Sequence, residues 1–200
     1  MTAQTADLPE PLPALFARAD ELATLLDAPH GSDEDVPRPE HPRPQLQRPT
    51  WRNLNGTWQF EIDQGDTGRE RGLLERDLSG TITVPFAPET AASGIGDRDF
   101  LEAVWYRRTL TIPADWDGLR PILRFEAVDH DATVWANGVE VARHRGGFTP
   151  FAADLSAVEG VGPGSEVEIV VRARDPHDVP QARGKQSTWF RPTHANYHRT

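Results

Sequence analysis

From Trp51 onward, large apolar and polar residues alternate with a period of two. In Thr57-Trp58-Gln59-Phe60-Glu61-Ile62-Asp63 the apolar side chains fall on one side and the polar ones on the other. Thr81-Ile82-Thr83-Val84-Pro85 repeats the pattern briefly. Ala103 to Pro113 puts Val104, Tyr106, Leu110 and Ile112 on one face, and Val167 to Ala173 alternates again after the turn residues Gly162-Pro163-Gly164-Ser165. This period predicts strands with one face on a core and one face in water. Several such strands separated by Gly/Pro/Asp loops, with no helical pattern between them, predict an all-β antiparallel sandwich or jelly roll. Periodicity does not choose the strand order. Arg108 interrupts the apolar face of its strand, which predicts a buried pair or a strand end near a rim, with its guanidinium on a carboxylate of the same domain.

The clearest local feature is a hairpin. Thr133–Ala136 and Val139–Ala142 flank Asn137-Gly138, and Asn-Gly between two β-rich runs is a strong turn signal because both residues must take positive φ. Around it, Ile122 to Leu155 reads as strand, acidic loop, hairpin, glycine-rich turn and a further apolar segment.

Residues before this region differ. Pro11 to Asp27 carries Leu12, Leu15, Phe16, Ala19, Leu22, Ala23 and Leu26 at helical spacing, with proline tolerated in the first turn. An amphipathic helix packed on a neighbouring surface is expected there. Residues 29–49 hold prolines at 29, 37, 39, 42, 44 and 49, a composition that blocks helix and ladder alike and predicts an extended linker or strap. The expected organisation is an N-terminal extension over 1–47 and a β domain over 48–200.

Composition narrows the function classes. The 200 residues carry a formal charge of -10 and no cysteine. The first argues against a nucleic-acid partner, since phosphate binding needs a clustered basic face, and none is expected. The second excludes disulfides and cysteine metal sites. The start of the chain has neither the basic nor the apolar region of a secretory signal, and no apolar run is long enough to cross a bilayer. A soluble cytoplasmic protein with no membrane partner is expected.

Few residues suggest chemistry directly. There is no G-x-S-x-G elbow and no βα repeat, so no catalytic residue is expected. His194 and His198 are four apart, but their surroundings are neither amphipathic nor capped, and no metal site or cofactor is expected there. Asp129-His130-Asp131 reads as a solvated turn, with a Ca²⁺ or Na⁺ contact as the alternative. Trp135 and Trp189 suit a sandwich core, with stacking on a pyranose as the alternative.

The order of motifs resembles the sugar-binding domain of glycoside hydrolase family 2, which includes β-galactosidases, β-glucuronidases and β-mannosidases. The resemblance rests on Leu54-Asn55-Gly56-Thr57-Trp58-Gln59-Phe60, Thr83-Val84-Pro85-Phe86, and Trp105-Tyr106-Arg107-Arg108 followed by Ile112-Pro113. It continues through Phe125-Glu126-Ala127-Val128-Asp129 with Val134-Trp135-Ala136-Asn137-Gly138, then His144 to Leu155. It ends in Asp175-Pro176 with Arg183-Gly184-Lys185-Gln186.

The resemblance implies a jelly roll of the galactose-binding type and an O-glycosyl hydrolase in which this domain is itself inert. An immunoglobulin-like domain and a (β/α)₈ barrel would follow, the barrel holding two glutamates about 5–5.5 Å apart. The family strand that should come just after residue 200 is missing, so the chain is expected to be an N-terminal fragment. The family's Asn-Gly asparagine lines the sugar pocket, which makes Asn137 a substrate-binding candidate, level with the reading that it only makes the turn. A family aspartate that binds sugar falls on Asn196, which keeps an acceptor but loses the charge; this puts a cation-linked site and a galactoside substrate in doubt. Lys185 and Gln186 complete the expected glycoside contacts. A free-standing carbohydrate-binding module or lectin is the alternative, and an interaction domain using the N-terminal helix is the third reading.

Overall fold

The computed structural model describes residues 36–177 and 179–182, so the expected helix over 11–27 lies outside the described residues. The chain divides into two compact units, one of residues 1–35 with 39–53 and one of residues 36–38 with 54–200. Within the described part of the first, Pro44–Leu46 forms a single 3-10 turn, and the His41 ring lies 4.7 Å from Trp51.

Among the described residues the second unit holds eight strands: β1 (Gly56–Ile62), β2 (Gly80–Val84), β3 (Ala103–Thr111), β4 (Ile122–Phe125), β5 (Asp131–Ala136), β6 (Val139–Arg145), β7 (Phe151–Asp154) and β8 (Glu166–Arg174). Six form an antiparallel sheet in the order β2-β1-β3-β8-β5-β6, and β4 pairs with β7 in a second, two-stranded sheet. Only β1–β2 and β5–β6 are sequence neighbours paired in the large sheet; β8 enters between β3 and β5. This is the all-β sandwich that the alternation predicts.

The inner core follows the sequence pattern. Trp58 and Phe60 of β1, Val104 of β3, Val134 of β5, and Val167, Ile169 and Val171 of β8 pack with Leu123 of β4 and Ala153 of β7. Burial of this apolar set is the main stabilising contribution, at roughly 25 cal/mol per Å² removed from water. Arg108 stands at the rim of this face, where its Nη1 donates to the carbonyls of Leu54 (2.7 Å) and Asn55 (3.1 Å) and its guanidinium lies over the Trp58 ring. These hydrogen-bond partners are backbone carbonyls, at the strand rim where the sequence expected it.

The opposite face of the large sheet departs from expectation: at its centre it is dry. Trp105, Trp135 and Val170 project from β3, β5 and β8 and are covered by Leu73, Leu74 and Leu78, which the β1–β2 connection carries. Asp63, at the end of β1, anchors that connection. Its carboxylate is fully buried, and it accepts from the backbone N–H of Thr67 (3.1 Å) and Gly68 (2.7 Å) and from the Trp105 indole N–H (3.1 Å). A Cβ at Gly68 would overlap both the indole and the carboxylate, so only glycine lets the chain approach this closely. Two positions back, Glu61 takes Arg71 and both terminal nitrogens of Arg76, together with the Ser79 N–H. Buried carboxylates are tolerated because each is paired and hydrogen-bonded.

Two outcomes follow from this anchor. Asp63→Ala orphans the Gly68 and Trp105 donors inside the protein and should cost about 3 kcal/mol, read as a lower urea midpoint with an unchanged slope. The Arg76 hydrogen bond holds the Glu61 carboxyl below its ordinary range, with Ser79 and Arg71 acting the same way against desolvation. A depressed folded-state pKa adds stability that is full above the ordinary carboxylate value and is lost as pH falls below it. Glu61→Gln should therefore flatten the fall in unfolding free energy between about pH 5 and pH 3 relative to the parent chain.

Candidate functional site

The β5–β6 hairpin turns at Asn137 (φ 48°) and Gly138 (φ 77°), both left-handed as a two-residue loop of this kind requires. Ala136 pairs with Val139 across the turn, and a register shift follows at Val134/Trp135. Asn137 does more than turn the chain. Its N–H donates to the Glu168 carbonyl (2.9 Å), and its Oδ1 accepts from the Glu168 N–H (2.9 Å). The side-chain amide thus supplies the next rung of the β5–β8 ladder beyond Ala136 and Ile169. Oδ1 is committed to the backbone, which leaves Nδ2 as the donor that the exposed tip can offer a ligand.

Glu168 carries the tie further. Its carboxylate pairs with Nη1 of Arg107, which is only 4% exposed, and Nη2 of Arg107 donates to the carbonyls of Leu73 (3.1 Å) and Leu74 (2.7 Å). The hairpin tip is thereby joined, through one buried guanidinium, to the loop over the dry face. Alternation along β3 does not single out Arg107. The one sequence signal is a second arginine beside Arg108, and it is ambiguous without the pairing of β3 with β8.

The glycine-rich turn lies at the other end of β6. The rings of Phe125, Phe151 and His144 stack in a column, with centroids 4.7 and 4.6 Å apart. His144 Nε2 is 3.0 Å from Thr149 Oγ1. Gly146 donates its N–H to the His130 carbonyl (2.8 Å), and a Cβ at Gly147 would overlap the Asp129 carboxylate. Asp131 opens β5, where Arg145 grips it side-on (2.6 and 2.9 Å), so this end of the acidic segment is an ion pair rather than a solvated turn. The Arg145 hydrogen bond holds its carboxyl below the ordinary range. Trp135 is buried and lies parallel to Trp105 at 5.5 Å, with Arg69 over its ring, which makes it core.

Asn137 and the place where the chain leaves β8 are well separated. Arg174 is five residues beyond Ile169, the partner of Ala136, or about 17 Å along an extended strand. Lys185, Gln186, Trp189 and Asn196 lie outside the described residues, and so do His194 and His198. At the Arg174 end, the uncovered part of the outer face forms an open cleft of about 490 Å³. Asp131 and Thr133 of β5, Arg143 and Arg145 of β6, and Arg172 and Arg174 of β8 line it, with Asp66 from the β1–β2 connection.

The amide rung has a measurable value. Asn137→Gly keeps the positive φ and loses the bond to Glu168, so the unfolding free energy should fall by about 1 kcal/mol in chemical denaturation.

Residues 96–179 match the family model described as "Glycosyl hydrolases family 2, sugar binding domain". Among curated relatives, the chain is 39% identical over 122 residues to a β-glucuronidase of Paenibacillus borealis, an alignment that covers 60% of this chain and 20% of that protein. The structure is similar to Lactobacillus rhamnosus β-glucuronidase, with a TM-score of 0.53 and 36% identity over 61% of this chain and 20% of that one. It is similar also to a β-glucuronidase of Ruminococcus gnavus in complex with C6-substituted uronic isofagomine, with a TM-score of 0.54 and 31% identity over 61% of this chain and 21% of that one. The chain spans about one fifth of the length of the relatives it matches.

Proposed function

We propose that this chain, which carries the sugar-binding domain of the family 2 glycosyl hydrolases, serves an O-glycosyl hydrolase of the β-glucuronidase kind. Its part is to contact the glycone and to dock against a catalytic barrel and an immunoglobulin-like domain. The observation that carries this reading is the family match across β3 to β8, together with relatives that are β-glucuronidases. No hydrolysis is assigned to the 200 residues themselves. A retaining glycosidase needs two opposed carboxyl groups about 5–5.5 Å apart across the scissile bond. The conspicuous carboxylates here are spent otherwise: Glu61 and Asp63 anchor the β1–β2 connection, and Asp131 holds Arg145.

Asn137 is the first substrate-contact residue of this reading, acting through Nδ2 because Oδ1 serves Glu168. The backbone bonds fix the amide before any ligand arrives, and a preorganised donor loses little entropy on binding. Lys185, Gln186 and Asn196 belong to the same proposal as further polar contacts.

The decisive substitution is Asn137→Asp, made in a polypeptide that joins this chain to the later domains. An aspartate keeps an acceptor for the Glu168 N–H and tolerates the left-handed turn, but it removes the Nδ2 donor. Expected is an unchanged thermal midpoint and a fall in kcat/KM on a nitrophenyl glucuronide of about 10- to 100-fold, or about 1.4–2.7 kcal/mol. Unchanged turnover would remove Asn137 from the pocket. Turnover of that glucuronide by the isolated 200-residue chain would overturn the assignment of catalysis to other domains.

A further inference from the structure

The open cleft at the Arg174 end holds four guanidiniums, each gripped on one side by a carboxylate. Arg143 reaches Glu140 through Nε (2.6 Å) and Nη2 (2.8 Å), and Arg145 reaches Asp131 through Nε (2.6 Å) and Nη2 (2.9 Å). Arg172 bonds Asp66 through Nε (2.9 Å) and Nη2. Arg174 lies with Nε 2.9 Å from Asp66 and donates from Nη2 to Glu102 (3.2 Å). In Arg143, Arg145 and Arg172 both Nε and Nη2 are hydrogen-bonded, in Arg174 Nη2 is hydrogen-bonded while Nε makes only a charge contact, and among the described residues none spends Nη1. The carboxylates set the orientation of the planar groups in advance, so the remaining donors are held in place before a ligand arrives.

We propose that this cleft binds an acidic saccharide, a sugar bearing a carboxylate of the uronate class. Two features select that ligand over a bare oxyanion. The charges nearly cancel, since the four arginines face Asp66, Asp131, Glu102 and Glu140. Coulombic capture of a simple anion is therefore weak and strongly screened, and binding must come from directed hydrogen bonds. The cleft also mixes donors with acceptors: the Asp131 carboxylate and Thr133 stand between the guanidiniums. Hydroxyl groups, which donate and accept, use that mixture, while a carboxylate takes paired guanidinium N–H groups. The volume, about 490 Å³, suits a mono- or disaccharide. The site is centred toward the end of β6 opposite the hairpin tip.

The test is calorimetry on the full 200-residue chain with three probes: a disaccharide ending in D-glucuronate, its glucose-ended counterpart, and acetate. The acidic disaccharide should bind at millimolar concentration or below, and the other two should bind about tenfold more weakly or not at all. Arg143 and Arg145 have side chains that are 73% exposed, so the double variant Arg143→Gln/Arg145→Gln should keep its thermal midpoint while losing affinity about tenfold or more. Arg145→Lys keeps the charge and a contact to Asp131 without the spare Nη1, and it should weaken binding as well. Equal binding of the neutral disaccharide, equal binding of acetate, an undiminished affinity in these variants, or no heat with the acidic disaccharide would each overturn the proposal. Asn137→Asp should leave this binding unchanged, so the site and the role given to Asn137 fail separately.

Discussion

The Asp63 carboxylate, fully buried at the end of β1, holds the backbone of Thr67 and Gly68 and the indole of Trp105 at once. That one group decides where the β1–β2 connection goes. Without it, Leu73, Leu74 and Leu78 would have no fixed seat, and the centre of the outer sheet face would be wet. A carboxylate in such a place is costly to bury and costly to leave incompletely paired. Those three donors and the Arg71 guanidinium at 3.3 Å, together with Glu61 and its two arginines, meet that requirement, and the connection becomes a lid that is part of the core.

The lid in turn reaches the hairpin. Arg107 takes two carbonyls of the lid and the carboxylate of Glu168, while the backbone of Glu168 holds both the N–H and Oδ1 of Asn137. The route from the buried anchor to the exposed tip thus runs through named hydrogen bonds. An amide on a free two-residue turn would be orientationally mobile, whereas the Glu168 backbone fixes the orientation of the Asn137 amide on folding. Where the lid ends, the outer face of β5, β6 and β8 stays open and becomes the arginine-lined cleft. Covered and open halves of one sheet face therefore have one cause, the length and anchoring of the β1–β2 connection.

The glycine-rich turn and the hairpin, adjacent in sequence, stand at opposite ends of β6. Each motif glycine has its own reason. Gly138 supplies a positive φ, and Gly147 makes room for the Asp129 carboxylate. Their shared appearance in the sequence reflects the scaffold of one domain rather than a single pocket.

By itself, the sequence determined the all-β class, the inner core and the hairpin turn. Those depend on local rules: period-two alternation sorts Trp58, Phe60, Val104 and Ile169 to one face, and Asn-Gly admits positive φ. The order of motifs also pointed to the family. Tertiary structure alone decided what the other face does. Asp63 and Trp105 are 42 residues apart, Arg107 and Leu73 34, and Asn137 and Glu168 31. No local pattern distinguishes a polar residue facing water from one that meets a partner across such a gap. Asp63 and Arg107 fall in polar positions of their strands and are nevertheless buried, because pairing satisfies their charges. Arg172 and Arg174 fall in equivalent positions of β8 and remain partly open, because the lid stops short of them.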